Sequence, residues 1–263
     1  HPSACEDFNT LNFGGRREDG TTPYRLGDQD LSLFFGQSSF SQYVVTRASN
    51  AVVVDPEVDL TLLGPLGCGI QTGSGTVLNR LKPVVGESLV VFGCGAVGLS
   101  AIMAAKLTGC SQIIAVDIHA SRLALAGELG ATHQINGKEQ DAVAVIKQIT
   151  GKGAHYAVET TGVSAIVLQA VHAVKPLGTV AIVGFTGDIT LNVQNDLMAE
   201  GKSLVGVIEG DAVPALFIPL LVQLYKQGKF PIDKLIARYP LADINQAFAD
   251  SASGKVIKPV VVM

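Results

Sequence analysis

Three glycines and a later aspartate could together bind a dinucleotide. An apolar run over residues 89–92 leads into Gly93, Gly95 and Gly98, which are spaced as G-x-G-x-x-G. Asp117 closes the next apolar run, 19 residues after Gly98. In such a motif the first glycine permits a tight turn, the second lets a pyrophosphate approach the backbone, and the third lets a helix pack closely on the strand. An acid at the end of the following strand accepts a hydrogen bond from a ribose hydroxyl and repels the extra phosphate of NADP. The spacing therefore predicts an NAD site.

The pyrophosphate in this interpretation lies at the N-terminus of a helix that starts at Ala96 and Val97, where unpaired amides favour an anion. Two alternatives stay open. The glycines could serve any strand-turn-helix unit, with the later acid a coincidence. Asp117 could instead cap a helix that begins at Ala120 or Ser121.

The elements that must position this motif alternate between strand and helix from Gly86 to Gly206. Each strand is apolar enough to be buried on both faces. The predicted strands are residues 88–92, 112–117, 133–136, 154–159, 178–184 and 203–207, and the predicted helices are residues 96–108, 121–129, 139–150 and 163–174. Glycines follow three of these helices, as C-terminal stops, at Gly109, Gly130 and Gly151. The pattern predicts an α/β Rossmann fold, with a doubly wound six-stranded parallel sheet.

The flanks of this unit differ from it in composition. Residues 1–35 are rich in Gly, Asp, Arg and Thr and predict a long surface loop or lobe, whereas residues 40–55 are β-like. The C-terminal flank predicts helices over residues 212–228 and 242–251 and a strand over residues 256–262. Each flank is too small to be a domain, so we expect the two to pack together as one second domain.

Composition narrows the class of protein. The 263 residues are 48% hydrophobic, and the formal charge of −4 comes from scattered residues, which argues against a nucleic-acid partner. No apolar run approaches the roughly 20 residues of a membrane span, and the N-terminus lacks the pattern of a signal peptide, so a cytoplasmic location is expected. The four cysteines are widely separated and form no C-x-x-C pair, which argues against a disulfide framework. They are therefore expected to be reduced thiols or metal ligands.

Several segments together resemble the zinc-dependent medium-chain alcohol dehydrogenases, and most closely the aryl- (benzyl-) alcohol dehydrogenases. The glycine motif and Asp117 are preceded by a glycine-rich stretch with one cysteine. The matching segments are Phe40–Tyr43, Leu63–Gly75, Gly206–Gly210, Phe217–Pro219 and Gly228–Pro231. The resemblance implies that residues 69–207 form the NAD-binding domain. It also implies that residues 1–68 and 208–263 belong to a β-rich, GroES-like catalytic domain that is incomplete at its N-terminal side.

The resemblance also implies two zinc sites. Cys68 matches one of three ligands of the catalytic zinc, and Cys5 matches the last of four ligands of a structural zinc. The partners of both cysteines have no match in this chain. A catalytic zinc needs three protein ligands and one open position. The chain is therefore expected to bind NAD while lacking a complete zinc site, with both NAD and zinc as cofactors of the intact protein. The histidines match no ligand position and are expected at the surface or at strand ends; they are His119, His133, His155 and His172.

Further cofactor contacts follow from the same resemblance. It places Thr72 beside the nicotinamide ring, the backbone of Val183 and Val207 on its carboxamide, and Lys258 on the pyrophosphate. Each has an ordinary alternative. Thr72 could cap the helix that follows Cys68, Lys258 could be a solvated surface lysine, and Cys68 on its own could be a small buried residue.

The resemblance places Phe34, Phe35 and Ile208 in the apolar walls of the substrate pocket. Ordinary core packing would explain each of these residues taken singly. Aromatic walls suit an aromatic or allylic primary alcohol, which would be oxidised to its aldehyde with zinc assisting hydride transfer. Two alternatives remain: a zinc-free quinone or enone reductase, and a non-catalytic NAD-binding protein. The resemblance also implies a homo-oligomer, a dimer or tetramer, that pairs through the last strand of the NAD domain, near residues 203–207.

Overall fold

A central parallel sheet organises the structure, a computed structural model that describes residues 2–36 and 40–263. The strands are β1 Arg25–Leu26, β2 Gln29–Asp30, β3 Ser88–Phe92, β4 Gln112–Asp117, β5 His133–Asn136, β6 Ala154–Glu159, β7 Val174–Ile182, β8 Ser203–Gly206, β9 Ile236–Pro240 and β10 Lys258–Val262. Six of them form the sheet in the order β5-β4-β3-β6-β7-β8, and every neighbouring pair is parallel. This arrangement confirms the predicted fold class.

The described residues also contain eight helices, some of which cover the two faces of the sheet. They are α1 Phe8–Phe13, α2 Gly69–Gly75, α3 Ala96–Thr108, α4 Ala120–Leu129, α5 Ala142–Thr150, α6 Ser164–Ala173, α7 Pro214–Lys226 and α8 Ile244–Ala252. Shorter 3-10 turns are Pro2–Ala4, Ala48–Asn50, Leu60–Leu62, Gly64–Gly67, Met198–Glu200, Glu209–Asp211, Ile232–Leu235 and Leu241–Asp243, and Thr76–Leu81 and Val193–Leu197 are π-helical. Within the described part of the chain, no helix is long and apolar enough to span a membrane.

Alternate residues of the central strand β3 enter two separate hydrophobic cores. Leu89 and Val91 pack with the residues of α3 and α4 on one face. Val90 and Phe92 pack with the residues of α5 and α6 on the other. All five residues of β3 are buried. A strand that is covered on both faces needs a continuous apolar run, which is why this segment could be recognised from its sequence.

Most element boundaries agree with the sequence, and the exceptions have local causes. Gly109, Gly130 and Gly151 end their helices with positive φ angles, as predicted. Helix α5 starts at Ala142, three residues later than expected, because the side chain of Asp141 accepts a hydrogen bond from the amide of Ala144. Strand β7 starts four residues earlier than expected, at Val174. Its pairing with β6 is interrupted by a bulge, so its apolar pattern is broken.

The β-like segment over residues 40–55 forms no strand, so that prediction is wrong. Two of its backbone hydrogen bonds close a 3-10 turn, with the amides of Asn50 and Ala51 donating to the carbonyls of Arg47 and Ala48. Val52 and Val54 pack against the core through their side chains. A strand needs the backbone of a neighbouring strand to pair with, and alternating side chains cannot reveal whether one is there.

The two flanks of the sheet domain contact each other. Arg238 of β9 donates to Asp59 and Thr61 at 2.9 and 2.7 Å, and Lys226 at the end of α7 pairs with Asp55. Strands β9 and β10 form a separate parallel pair. The predicted surface lobe contains helix α1 and the hairpin β1-β2 rather than loop alone. The domain boundaries at residues 68 and 207 remain predictions.

Glu159 is fully buried at the carboxyl end of β6 and organises the adjoining loop. Its carboxylate accepts hydrogen bonds from the amides of Thr161 and Gly162, at 2.7 and 3.2 Å, and from the hydroxyl of Thr161. The Glu159→Ala variant leaves these donors without partners inside the protein. We expect the free energy of unfolding, measured by urea denaturation, to fall by about 2–4 kcal/mol. The exposed Glu139→Ala variant is the control and should change it by less than about 0.5 kcal/mol. Equal stability of the two variants would contradict this role.

Candidate functional site

The glycine motif joins β3 to α3 and leaves an open space above Gly95. Gly93 has φ +92°, a conformation that favours glycine, and its amide donates to the carbonyl of Val116 at 2.8 Å. A Cβ added at Gly95 would meet no atom within 4 Å, whereas one added at Gly98 would lie 1.8 Å from the carbonyl oxygen of Gly93. The helix therefore packs directly on the strand, and free space lies beside its N-terminus. This cradle fits the pyrophosphate of a dinucleotide.

Asp117 lies beside this cradle and is only 8% exposed. One carboxylate oxygen accepts the amide of Cys94 at 2.6 Å, and the other accepts the amides of Ile118 and His119 at 2.7 and 2.9 Å. These donors all precede helix α4, whose N-cap residue is His119. The alternative that Asp117 caps this helix is therefore wrong. A carboxylate has about four acceptor positions, so one remains for a ligand hydroxyl.

Arg122 is a residue of this region that sequence reasoning missed. It lies on α4, five residues after Asp117, and its Nε is buried with no hydrogen-bond partner among the described residues. Its guanidinium lies 3.1 Å from the position of a Cβ on Gly254. Together with Lys234 and Lys255 it lines a hollow of about 280 Å³. The only sequence signal was a basic residue in the first turn of the helix after the acid.

A second cluster forms around helix α2. Thr72 Oγ1 and Gln71 Nε2 donate to the same carboxylate oxygen of Glu209, at 3.3 and 3.0 Å. Cys68 is the N-cap residue of α2, and Thr72 lies inside the helix. The alternative that Thr72 caps this helix is therefore wrong, because its hydroxyl bonds to Glu209 instead.

Two opposite charges act on the pKa of the Cys68 thiol. Partial burial by neighbouring groups is the main factor that raises its pKa, although the residue keeps an exposed surface. The negative charge of Glu209 and a hydrogen bond to it also raise the pKa of this thiol, and the positive charge of Lys258 lowers it. The positive charge of Lys258, predicted on the pyrophosphate, therefore acts on the Cys68 thiol.

Glu209 also escaped sequence reasoning, although its segment was noted. It opens the turn Glu209–Asp211 after β8, in which all three residues have positive φ. This turn lies against α2: a Cβ on Gly75 would be 2.4 Å from the carbonyl oxygen of Gly210. On its other side α2 meets α3, where a Cβ on Gly73 would be 1.9 Å from the carbonyl oxygen of Val97. Close contacts at these glycines therefore hold the Glu209 turn, α2 and α3 together.

The remaining predicted site residues fall into two places. Val183 and Val207 follow β7 and β8, at the same edge of the sheet as the glycine motif, and their amides donate to Glu159 and Ile182. Ile208 is exposed in the turn before Glu209.

Phe34 and Phe35 pack edge to face with one another and with Phe8 and Phe13, in an aromatic cluster of the N-terminal flank. The turn Pro2–Ala4 of this flank contacts the Glu209 turn. The pocket role of the two phenylalanines remains a prediction.

The donor atoms present do not complete a zinc site. Cys68 and Glu209 offer one sulfur and one carboxylate, whereas a catalytic zinc needs three protein ligands. In residues 2–36 and 40–263, no group of three or more His, Cys, Asp or Glu side chains could hold a metal ion. Cys5, predicted as a structural zinc ligand, is exposed. Cys94 is buried and Cys110 partly buried, and burial raises the pKa of both thiols.

Comparisons with known proteins connect these features to a family. The family described as "Zinc-binding dehydrogenase" matches residues 96–226. Geraniol dehydrogenase of Castellaniella defragrans is 43% identical over 270 residues, which cover all of this chain and 72% of that protein.

Two crystal structures resemble the whole chain. An alcohol dehydrogenase zinc-binding domain protein from Burkholderia ambifaria has a TM-score of 0.95 and 50% identity, covering 100% of this chain and 72% of that one. Benzyl alcohol dehydrogenase from Acinetobacter calcoaceticus has a TM-score of 0.92 and 48% identity, covering 99% and 71%.

These matches confirm the family inferred from the sequence. They support alcohol oxidation as the activity class, with NAD and, in the intact protein, zinc as cofactors. The chain belongs to the zinc-binding dehydrogenases that act on alcohols.

Proposed function

We propose that the intact protein oxidises a primary alcohol, aromatic or allylic, to its aldehyde, with NAD as the hydride acceptor. The observation that carries this proposal is the open cradle at Gly95 between the carboxylate of Asp117 and the Cys68–Thr72 helix. The names of two similar proteins, geraniol dehydrogenase and benzyl alcohol dehydrogenase, supply one allylic and one aromatic alcohol. Both substrates suit the predicted walls of Phe34, Phe35 and Ile208.

The residues of the chain have separate roles in this proposal. The amides at Ala96 and Val97 bind the pyrophosphate, and Asp117 binds a ribose hydroxyl while excluding NADP. Arg122 adds a partly buried cation to the adenosine side. NAD, when bound, supplies the hydride acceptor.

On the other side of the cradle, Thr72 lies where the ring is expected. The amides of Val183 and Val207 already donate within the protein, so their carbonyls would accept hydrogen bonds from the carboxamide of the ring, and Lys258 supplies a positive charge for the phosphates.

The chain itself is proposed to bind NAD without oxidising alcohol. Cys68 matches one of the three ligands that a catalytic zinc needs, and the donor atoms near it do not complete the site, so no step through zinc is derived from these residues. The finer expectations also remain proposals: a cytoplasmic location, and a homo-oligomer that pairs through β8. Strand β8 lies at the outer edge of the sheet, with β7 as its neighbour there.

The test combines an NAD titration by calorimetry with elemental analysis of the purified chain. We expect saturable binding of NAD, much weaker binding of NADP, and no stoichiometric zinc. Benzyl alcohol and geraniol should give no NADH absorbance with this chain. Failure to bind NAD would overturn the cofactor site. Stoichiometric zinc with alcohol-dependent NADH formation would show that other residues complete the metal site.

A further inference from the structure

The topology places Glu209 on the nicotinamide side of the proposed cofactor site. Asp117 ends β4, which lies on one side of β3, whereas β6, β7 and β8 lie on the other. A dinucleotide with its adenosine ribose at Asp117 and its pyrophosphate at Gly95 must extend its other half across the carboxyl ends of those strands. Glu209 follows β8 by three residues, at that edge.

The carboxylate of Glu209 is held in place by its neighbours. Gln71, which is only 2% exposed, donates to it and is itself anchored on the carbonyl of Gly67 at 2.9 Å. Thr72 donates to the same oxygen at 3.3 Å. The backbone of the turn is fixed as well, because the amide of Asp211 donates to the carbonyl of Ile208 at 3.0 Å. The negative charge therefore keeps one position relative to helix α2.

We propose that the fixed carboxylate of Glu209 shifts the relative affinity of this site toward the oxidised cofactor. This inference rests on the proposed NAD site. The oxidised nicotinamide ring carries a positive charge and the reduced ring carries none, so a nearby carboxylate attracts only the oxidised form. Lys258, on the Cys68 side, is the opposing cation, and its own proposed partners are the phosphates that both forms share. A shift in this direction favours alcohol oxidation, because it strengthens the binding of NAD+ relative to that of NADH.

The test measures the dissociation constants of NAD+ and NADH for the chain and for Glu209→Gln, by calorimetry at low ionic strength. The variant removes the charge while keeping an acceptor oxygen for Gln71 and Thr72. We expect the dissociation constant of NAD+ to rise by about tenfold and that of NADH to change by less than about twofold. Asp211→Asn is the matched control. It removes one charge from the same turn, where Asp211 pairs with Arg80 at 3.4 Å, and should leave the ratio of the two constants unchanged.

The outcomes separate charge from structure. If the ratio of the two dissociation constants is unchanged in Glu209→Gln, the inference is overturned. Equal weakening of NAD+ and NADH binding would then show a purely structural role for Glu209. Glu209→Asp keeps the charge and should retain most of the preference. If Glu209→Gln fails to fold, Glu209→Ala removes the same charge and must show the same selective loss. If the unmodified chain binds neither form, the proposed cofactor site is wrong, and this inference is overturned with it.

Discussion

Replacement of Gly98 by alanine is expected to abolish NAD binding and to lower the free energy of unfolding by about 3 kcal/mol. The added Cβ would lie 1.8 Å from the carbonyl oxygen of Gly93 and 3.1 Å from a methyl group of Val91. Neither the strand nor the helix can yield without moving the turn that they share. Urea denaturation measures the loss of stability, and calorimetry measures the loss of binding.

The neighbouring Gly95→Ala variant separates the two effects. Its Cβ enters open space, so we expect stability within about 1 kcal/mol of the unmodified chain. The same methyl group occupies the proposed pyrophosphate cradle and should weaken NAD binding strongly. Gly187→Ala also enters open space, away from the motif, and should change neither quantity. If Gly95→Ala binds NAD normally, the cradle is not the phosphate site, whatever happens at Gly98.

Replacement of Asp117 by asparagine is expected to weaken NAD binding by about 10- to 100-fold and to remove most of the discrimination against NADP. Hydrogen bonds to a charged group contribute about 1.5–3 kcal/mol, and asparagine loses that charge. Its amide group also cannot accept from Cys94 on one side and from Ile118 and His119 on the other, as the carboxylate does. Removing the negative charge also removes the repulsion of the extra phosphate of NADP.

The measurement is a pair of titrations, with NAD and with NADP, on the variant and on the control Asp188→Asn. The control removes an equal charge from an exposed loop residue and should change neither dissociation constant. A variant that still rejects NADP as strongly as the unmodified chain would show that Asp117 does not set cofactor choice. A variant whose NAD constant is unchanged would place the ribose elsewhere.

The sheet and its helices could be predicted because their signals are local. The strand β3 is a continuous apolar run, and Gly109, Gly130 and Gly151 mark helix ends by a backbone conformation that glycine adopts easily. The strand prediction for residues 40–55 was wrong because a strand must pair with a neighbouring strand, and the residues of the segment do not show whether one is present. Boundary errors at α5 and β7 came from a side-chain cap and a bulge, and both act over only a few residues.

The candidate site was predicted only where the motif is local. Gly93, Gly95, Gly98 and Asp117 lie in one strand-turn-helix-strand unit, and the structure brings them together. Glu209 meets Thr72 across 137 positions of sequence, and no periodicity reports such a contact. Arg122 depends on the loop at Gly254 for its burial, which is likewise a tertiary effect. Contacts between residues so far apart in the sequence can be identified only in the folded structure.

The close glycine contacts of helix α2 have a mechanical consequence. Gly73 brings its backbone against Val97 of α3, and Gly75 brings it against the turn at Gly210. Two backbones in direct contact cannot slide, because a shift along either axis drives a carbonyl into a Cα. The segment that carries Cys68 and Thr72 therefore moves as one rigid body with α3. Any hinge in this part of the protein must lie outside this body, so the positions of the Cys68 thiol and the Thr72 hydroxyl relative to the glycine motif are preserved when the protein moves.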